Sequence, residues 1–280
     1  MLWRKMIRDI WNNKGSYFAC LIIVIIGLTV FTTFSIVTDN LNLARDSFYS
    51  EQNFADGFVE MTGMPENNIG RLAQIEGIKD INGRIVKEVR VNIPHREENT
   101  YLKLVSLDLS TSSIVNNAKL LKGHHFNSDD LNIWLDKRFY DANDFEIDEN
   151  IDIIVRGKSW AVNVHGVGMS PEFAYYVPST ADLIPNPEQF GVAFIPLTDM
   201  FLLFPDLSGR VNEIVFTLEN GANFNKVRNL LELELEQYGL INIYPRKEQT
   251  SHLLLMEEIN GLETVAKTFP LLFLTIGAII

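Results

Sequence analysis

The stretch from Gly15 to Thr38, GSYFACLIIVIIGLTVFTTFSIVT, carries no charged residue. As a helix rising about 1.5 Å per residue, it is long enough to cross the roughly 30 Å hydrocarbon core of a bilayer. Its apolar run exceeds the about 7 to 15 residues of a secretory signal. Thr33-Phe34-Ser35 is also a poor small-x-small cleavage site. The stretch therefore reads as an uncleaved membrane anchor. Cys20, the only cysteine, falls inside it and reads as one more apolar residue. The chain can then build no internal disulfide and no cysteine zinc site.

The flanks orient the anchor. Residues 1–14 hold Arg4, Lys5, Arg8 and Lys14 against Asp9, whereas Asp39, Arg45, Asp46 and Glu51 follow the span. The positive-inside bias places the N-terminus in the cytoplasm and the bulk of the chain outside. Leu2, Trp3, Met6, Ile7, Ile10 and Trp11 fall on one helical face with the basic residues off it. Residues 1–14 thus read as a helix lying among lipid headgroups, with Trp3, Arg4, Arg8 and Trp11 at the interface. The remainder carries 20 basic and 35 acidic groups, a balance that repels phosphate backbones and argues against nucleic-acid binding.

At the other end, Phe269 to Ile280 is again uncharged but too short to span as a helix. It reads as the start of a second membrane helix that is cut short. Residues 39–268 then form an extracytoplasmic domain between two spans. Both of its ends have heptad-like spacing: Val37, Leu41, Ala44 and Phe48 on one side, and Leu255, Ile259, Leu262, Ala266 and Phe269 on the other. These are expected to pair as stalk helices, the second over 246–268.

Two segments between the stalks look alike. In the first, residues 56–108, Phe58 to Met61 reads as a strand, Glu66 to Ile75 as a helix behind Pro65, and Arg84 to Ile93 as an alternating strand. Tyr101 to Val105 adds a further strand. In the second, residues 211–245, Glu213 to Leu218 precedes a helix from Asn225 to Tyr238, and Ile241 to Tyr244 follows. Val227, Leu230, Leu231, Leu233 and Leu235 are the apolar positions of that helix, and Gly239 is its stop signal. Two β-α-β halves with both helices on one face make an α+β, split ferredoxin-like domain of the porter type, expected as one mixed sheet. Residues 109–210 interrupt it as an inserted β-rich subdomain, with strands at Asn132 to Leu135, Ile151 to Val155 and Ala161 to Val167. Gly157-Lys158 reads as a hairpin turn, and Pro178, Pro185 and Pro187 as a loop.

Catalytic and cofactor motifs are missing. Gly157-Lys158-Ser159 ends like a phosphate loop, but Asp152 stands where its first glycine belongs. Gly166-Val167-Gly168 lacks the third glycine of a dinucleotide fingerprint. Asp144, Glu146 and Asp148 alternate like a calcium loop, yet Glu149 and Val155 occupy its glycine and glutamate positions. His124 and His125 are adjacent and so point apart on a strand or helix. Neither Gly-x-Ser-x-Gly nor His-Glu-x-x-His occurs. No catalytic, cofactor or metal residue is indicated.

Several runs together resemble FtsX-like permeases, the membrane subunits of bacterial ABC transporters of the MacB type. They are Arg4 to Trp11 with Lys14-Gly15, Met61 to Pro65, Ile75 to Ile78 with Gly83-Arg84, and Tyr101 to Ser106. Ser170 to Phe173, Phe190 to Val192, Asn212 to Ile214 and Phe269 to Phe273 continue the series. The resemblance implies a MacB-like periplasmic core domain in a bacterial cytoplasmic membrane and a cytoplasmic ABC ATPase as partner. That ATPase would move the outer domain through the stalks for export, lipoprotein release or envelope regulation. It also implies a second permease copy or half and an extracytoplasmic adaptor or cargo, and no enzymatic activity of the chain's own. One departure is Glu149-Asn150, where the family carries Gly-Asp before a strand; asparagine tolerates the same left-handed turn. The rival reading is an extracytoplasmic ligand-binding sensor held between two spans.

Overall fold

The computed structural model describes residues 2–93, 96, 98–127, 130–175 and 186–279. It divides into two units, residues 1–47 with 255–280, and residues 48–254.

The first unit is helical. Helix α1 (Leu2–Asn12) precedes α2 (Lys14–Glu51), and α7 (Thr250–Ile279) returns at the end of the chain. Both long helices continue into the second unit. Among the described helices, α2 is long and apolar enough to cross a membrane. Leu21, Ile25 and Leu28 point outward from it, as lipid-facing side chains do. Within the unit, α2 and α7 pack through small residues. A β-carbon on Gly27 would stand 3.2 Å from the β-carbon of Phe273, and Cys20 Sγ lies 3.4 Å from the carbonyl oxygen of Gly277. Glycine at such crossings lets backbones approach closely, which replaces the hydrophobic driving force that lipid removes. Arg45 Nη1 reaches Met256 Sδ at 3.0 Å, and Ile259 and Ala266 are buried.

The second unit holds two sheets. The first is built from β1 (Gly57–Pro65), β2 (Ile78–Arg84), β10 (Arg210–Leu218) and β11 (Leu240–Pro245), in the order β11-β1-β10-β2. The short helix α3 (Ile69–Leu72) joins β1 to β2, and α6 (Phe224–Leu235) joins β10 to β11. Two β-α-β halves interleaved in this order form the ferredoxin-like arrangement. Val227, Leu231 and Leu235 of α6 and Leu72 of α3 close one core with Val59, Met64, Ile214 and Phe216. Gly239 ends the second helical segment at φ 68°, a left-handed position that costs glycine nothing. Three expectations are corrected here. The sheet is antiparallel at every neighbouring pair rather than mixed, because each half returns its strand past one strand of the other. The first helix is a single turn beyond a 3-10 segment, not an element reaching Ile75. Leu230 and Leu233 of α6 point away from the core, Leu233 being 76% exposed.

The second sheet contains β3 (Val86–Asn92), β4 (Thr100–Leu107), β5 (Lys119–Gly123), β6 (Asn132–Asp136), β7 (Asn150–Val155), β8 (Lys158–Met169) and β9 (Phe190–Pro196). Its order is β5-β8-β6-β9-β4-β3-β7, and β7 also pairs with β8, so six strands close into a barrel with β5 alongside. The strands from Val86 to Leu107 therefore belong to the β-rich part, not to the first ferredoxin half. β4 pairs in parallel with β9, Tyr101 opposite Phe190, which no local pattern announces. The barrel core contains Leu102, Leu104, Ile133, Leu135, Phe139, Ile153, Val164 and Ile195. Helix α4 (Lys137–Ala142) starts at Asp136, whose carboxylate accepts from the amides of Arg138 and Phe139, an N-cap. Helix α5 (Leu197–Leu203) follows β9. Arg156 and Gly157, both at positive φ, turn β7 into β8 as a two-residue hairpin.

Candidate functional site

The last residues of α2 and the first of α7 lie side by side in the second unit, with Tyr49 Oη and His252 Nδ1 hydrogen-bonded at 3.0 Å. Arg246 donates to the carbonyls of Phe54 and Ala55, both at the exit of α2, and pairs with Asp56. These two helix roots rest on a buried ionic hub. Arg84 ends β2, Glu213 lies in β10, and Glu172 sits in the 3-10 turn that follows β8. All three are buried, at 4%, 8% and 5% exposure. The Arg84 guanidinium donates through Nη1 and Nη2 to the two oxygens of Glu172, at 2.7 and 2.6 Å, and through Nε to Glu213 Oε2 at 2.6 Å. The fork geometry explains why arginine holds this place: one planar cation serves two carboxylates.

Asn116, in the loop between β4 and β5, extends the hub to the root of α2. Its amide nitrogen donates to Glu172 Oε2 at 2.6 Å, and its side-chain oxygen accepts from the Ala55 amide at 2.6 Å. The backbone amides of Asn116 and Asn117 cap the carbonyls of Asn53 and Gln52. At the root of α7, Gln249 donates to the main-chain oxygen of Glu172 at 2.7 Å, and its own oxygen accepts from the His252 amide. Gln249 thereby caps a helix start, satisfying a backbone donor that would otherwise lack a partner.

Within the hydrogen-bonded hub one guanidinium serves two carboxylates, and Lys103 adds a second positive charge that acts on Glu213. Burial opposes the Arg84 charge, but Glu172 and Glu213 outweigh it and hold the guanidinium firmly protonated. Burial pushes the Glu213 carboxyl up; Arg84 pulls it down and Glu172 adds to the rise. Beside the hub is a cavity of about 360 Å³ whose lining includes Glu60, Lys103, Glu213, Tyr175 and Tyr244. Burial, then the acidic neighbours, raise the Tyr244 hydroxyl well above its usual range.

The residues expected at the stalk are placed unevenly. On α7, Ile259 and Ala266 are buried, Leu255 and Leu262 are half-buried, and Phe269 is exposed. On α2, Leu41 is 39% exposed, Val37 and Ala44 are also exposed, and Phe48 is half-buried. The covered face of α2 instead runs through Gly27, Thr38 and Arg45, one position further along the helix. Leu41 and Ala44 are thus corrected as seam residues: a shift of one residue turns a side chain by about 100°. Trp3, Arg8 and Trp11 are exposed on α1, while the Arg4 side chain lies outside the described residues, as do Pro178 and Pro185.

The weak motifs have local explanations. Lys158 lies over the Trp160 ring, 4.2 Å from its centroid. His124 turns towards His165 and His125 towards Trp134. Among the described residues no cluster of His, Cys, Asp and Glu is arranged to hold a metal ion. The three hub charges each lie in a run already quoted for its resemblance to FtsX-like permeases, Gly83-Arg84, Ser170 to Phe173 and Asn212 to Ile214, but nothing in the sequence marks them as partners.

No family model matches the chain, and no curated protein matches it. Solved structures similar to it include the extracellular domain of the noncanonic ABC-type transporter YknZ from Gram-positive bacteria, 14% identical. That match covers 67% of this chain and 100% of that one, with a TM-score of 0.43. The periplasmic region of MacB from Actinobacillus actinomycetemcomitans is 11% identical, covering 73% of this chain and 92% of that one, with a TM-score of 0.41.

Proposed function

We propose that the chain is a permease subunit of a MacB/FtsX-type ABC transporter, anchored by α2 and α7, with residues 48–254 as its extracytoplasmic core domain. The observation that carries this reading is the return of the chain. A split ferredoxin-like and barrel domain leaves one long helix and re-enters another, with the two roots hydrogen-bonded through Tyr49 and His252. A domain held at both ends can be moved by a change in its helices, whereas one on loose tethers can only bind. The ordered runs from Arg4 to Phe273 that resemble FtsX-like permeases support the same reading.

In this reading α1 lies at the cytoplasmic headgroups, and ATP is hydrolysed by a separate ABC subunit. Motion passes along α2 and α7 to the outer domain, which acts on an adaptor, a cargo or an envelope partner. A second permease copy or half completes the membrane part. Affinity isolation in mild detergent from the native membrane should recover an ABC ATPase in near-equal amount. A preparation that contains none would overturn the reading.

A further inference from the structure

We propose that Glu172 is the joint that ties both helix roots to both sheets of the outer domain, and so sets how helix movement reaches them. The proposal rests on the permease reading for its purpose, but not for its geometry. Among the described residues Glu172 is linked to every arm, to α2 through Asn116. Its carboxylate holds Arg84 of the four-stranded sheet by two hydrogen bonds and Asn116 by a third, and Asn116 caps the exit of α2. Its carbonyl holds Gln249 at the start of α7. The next carbonyl upstream, Pro171, accepts from Ser251 Oγ at 3.4 Å, and Ser251 in turn accepts from the Tyr175 amide. The residue itself leaves β8 of the barrel after Met169.

A buried ion-pair triad is a poor device for stability alone, since apolar packing of equal volume does as well or better. What it supplies is fixed distance and direction. The Arg84 side chain, in contrast, bonds Glu213 of β10 and Glu172 but neither helix root, and the Asn116 side chain bonds the α2 root and Glu172 but not the α7 root. Both oxygens of Glu172 are engaged by the same cation: each receives an Arg84 N–H, and Oε2 also receives Asn116. An amide of the same shape must therefore set an N–H against an Arg84 N–H in either orientation. Glu172→Gln is a near-isosteric way to open the joint.

The test is hydrogen exchange on the full chain in detergent, comparing wild type with Glu172→Gln. Amides at 49–55 and at 250–254 should both exchange at least about ten-fold faster, while Leu135 and Ile195 in the barrel core keep their protection. Unchanged exchange at either root overturns the proposal. Should the Gln variant fail to fold, Asn116→Ala removes one arm only, and unchanged exchange at 49–55 in that variant overturns it equally. In the reconstituted transporter, Glu172→Gln should leave ATP hydrolysis within about two-fold and lower transport about ten-fold or more. Normal transport at normal hydrolysis would refute the coupling role. If no ATPase partner is found, the permease reading falls while the exchange result still decides the joint.

Discussion

Gly27 of α2 and Phe273 of α7 approach so closely that a β-carbon on the glycine would stand 3.2 Å from that of the phenylalanine. That is near the about 3.5–4.5 Å separation of β-carbons in disulfides. In a Cys20→Ser background, Gly27→Cys with Phe273→Cys should cross-link spontaneously in membranes. A pair that stays reduced under mild oxidant would show that the two helices do not meet on this face.

Removing the cation of the hub should be severe. Arg84→Met leaves Glu172 and Glu213 buried without their partner, and breaking a buried ion pair from one side costs about 3–5 kcal/mol. Urea unfolding followed by tryptophan fluorescence should report a loss of this size. A loss under about 1 kcal/mol would mean that water already reaches the site.

The buried Glu213 carboxyl gives a pH signature. Glu213 has its folded-state pKa raised above the ordinary glutamate value of 4.5, chiefly by burial. Its contribution to stability is therefore present below 4.5 and lost as pH rises through the raised value. Glu213→Gln can still accept from Arg84 Nε and does not titrate. Its stability relative to wild type should climb from pH 4.5 upward and then level off. Urea midpoints between pH 4 and pH 8 decide the matter, and a relative stability that falls with pH would contradict it.

Topology can be read in whole cells. Single cysteines at Asn12 and Asn127, again with Cys20→Ser, are probed with an impermeant thiol reagent. Asn127 should label and Asn12 should be protected. The opposite pattern would invert the orientation.

The ferredoxin halves were legible because their signals are local. The apolar, β-branched run from Glu213 to Leu218 marks a strand, and Gly239 marks the end of the helical segment before the next one. The allegiance of Val86 to Leu107 was not, since it depends on β4 meeting β9 across a long connection. The seam of α2 was misread by one residue for a physical reason. Heptad logic looks for apolar side chains at 4-3-4 spacing, and it selected Leu41 and Ala44. Within the apolar span the large residues face outward and the covered face runs through Gly27 and Thr38; beyond the span the same face continues at Arg45, a charged residue that an apolar pattern passes over. The partnership of the hub escaped, although each of its residues lies in a quoted run, as Arg84 lies 88 residues from Glu172 and 129 from Glu213.

Tyr49 and His252 touch although 203 positions separate them. To the helical hairpin, everything between them is a single loop, whatever it contains. The entropic cost of closing a loop grows only logarithmically, about 0.6 kcal/mol per doubling of length. Such an excursion can be enlarged, trimmed or exchanged with little penalty to the hairpin that closes it. Residues 48–254 can thus be exchanged as one insert between the two helices. Grafting can do the same with any foreign fold whose two ends lie equally close.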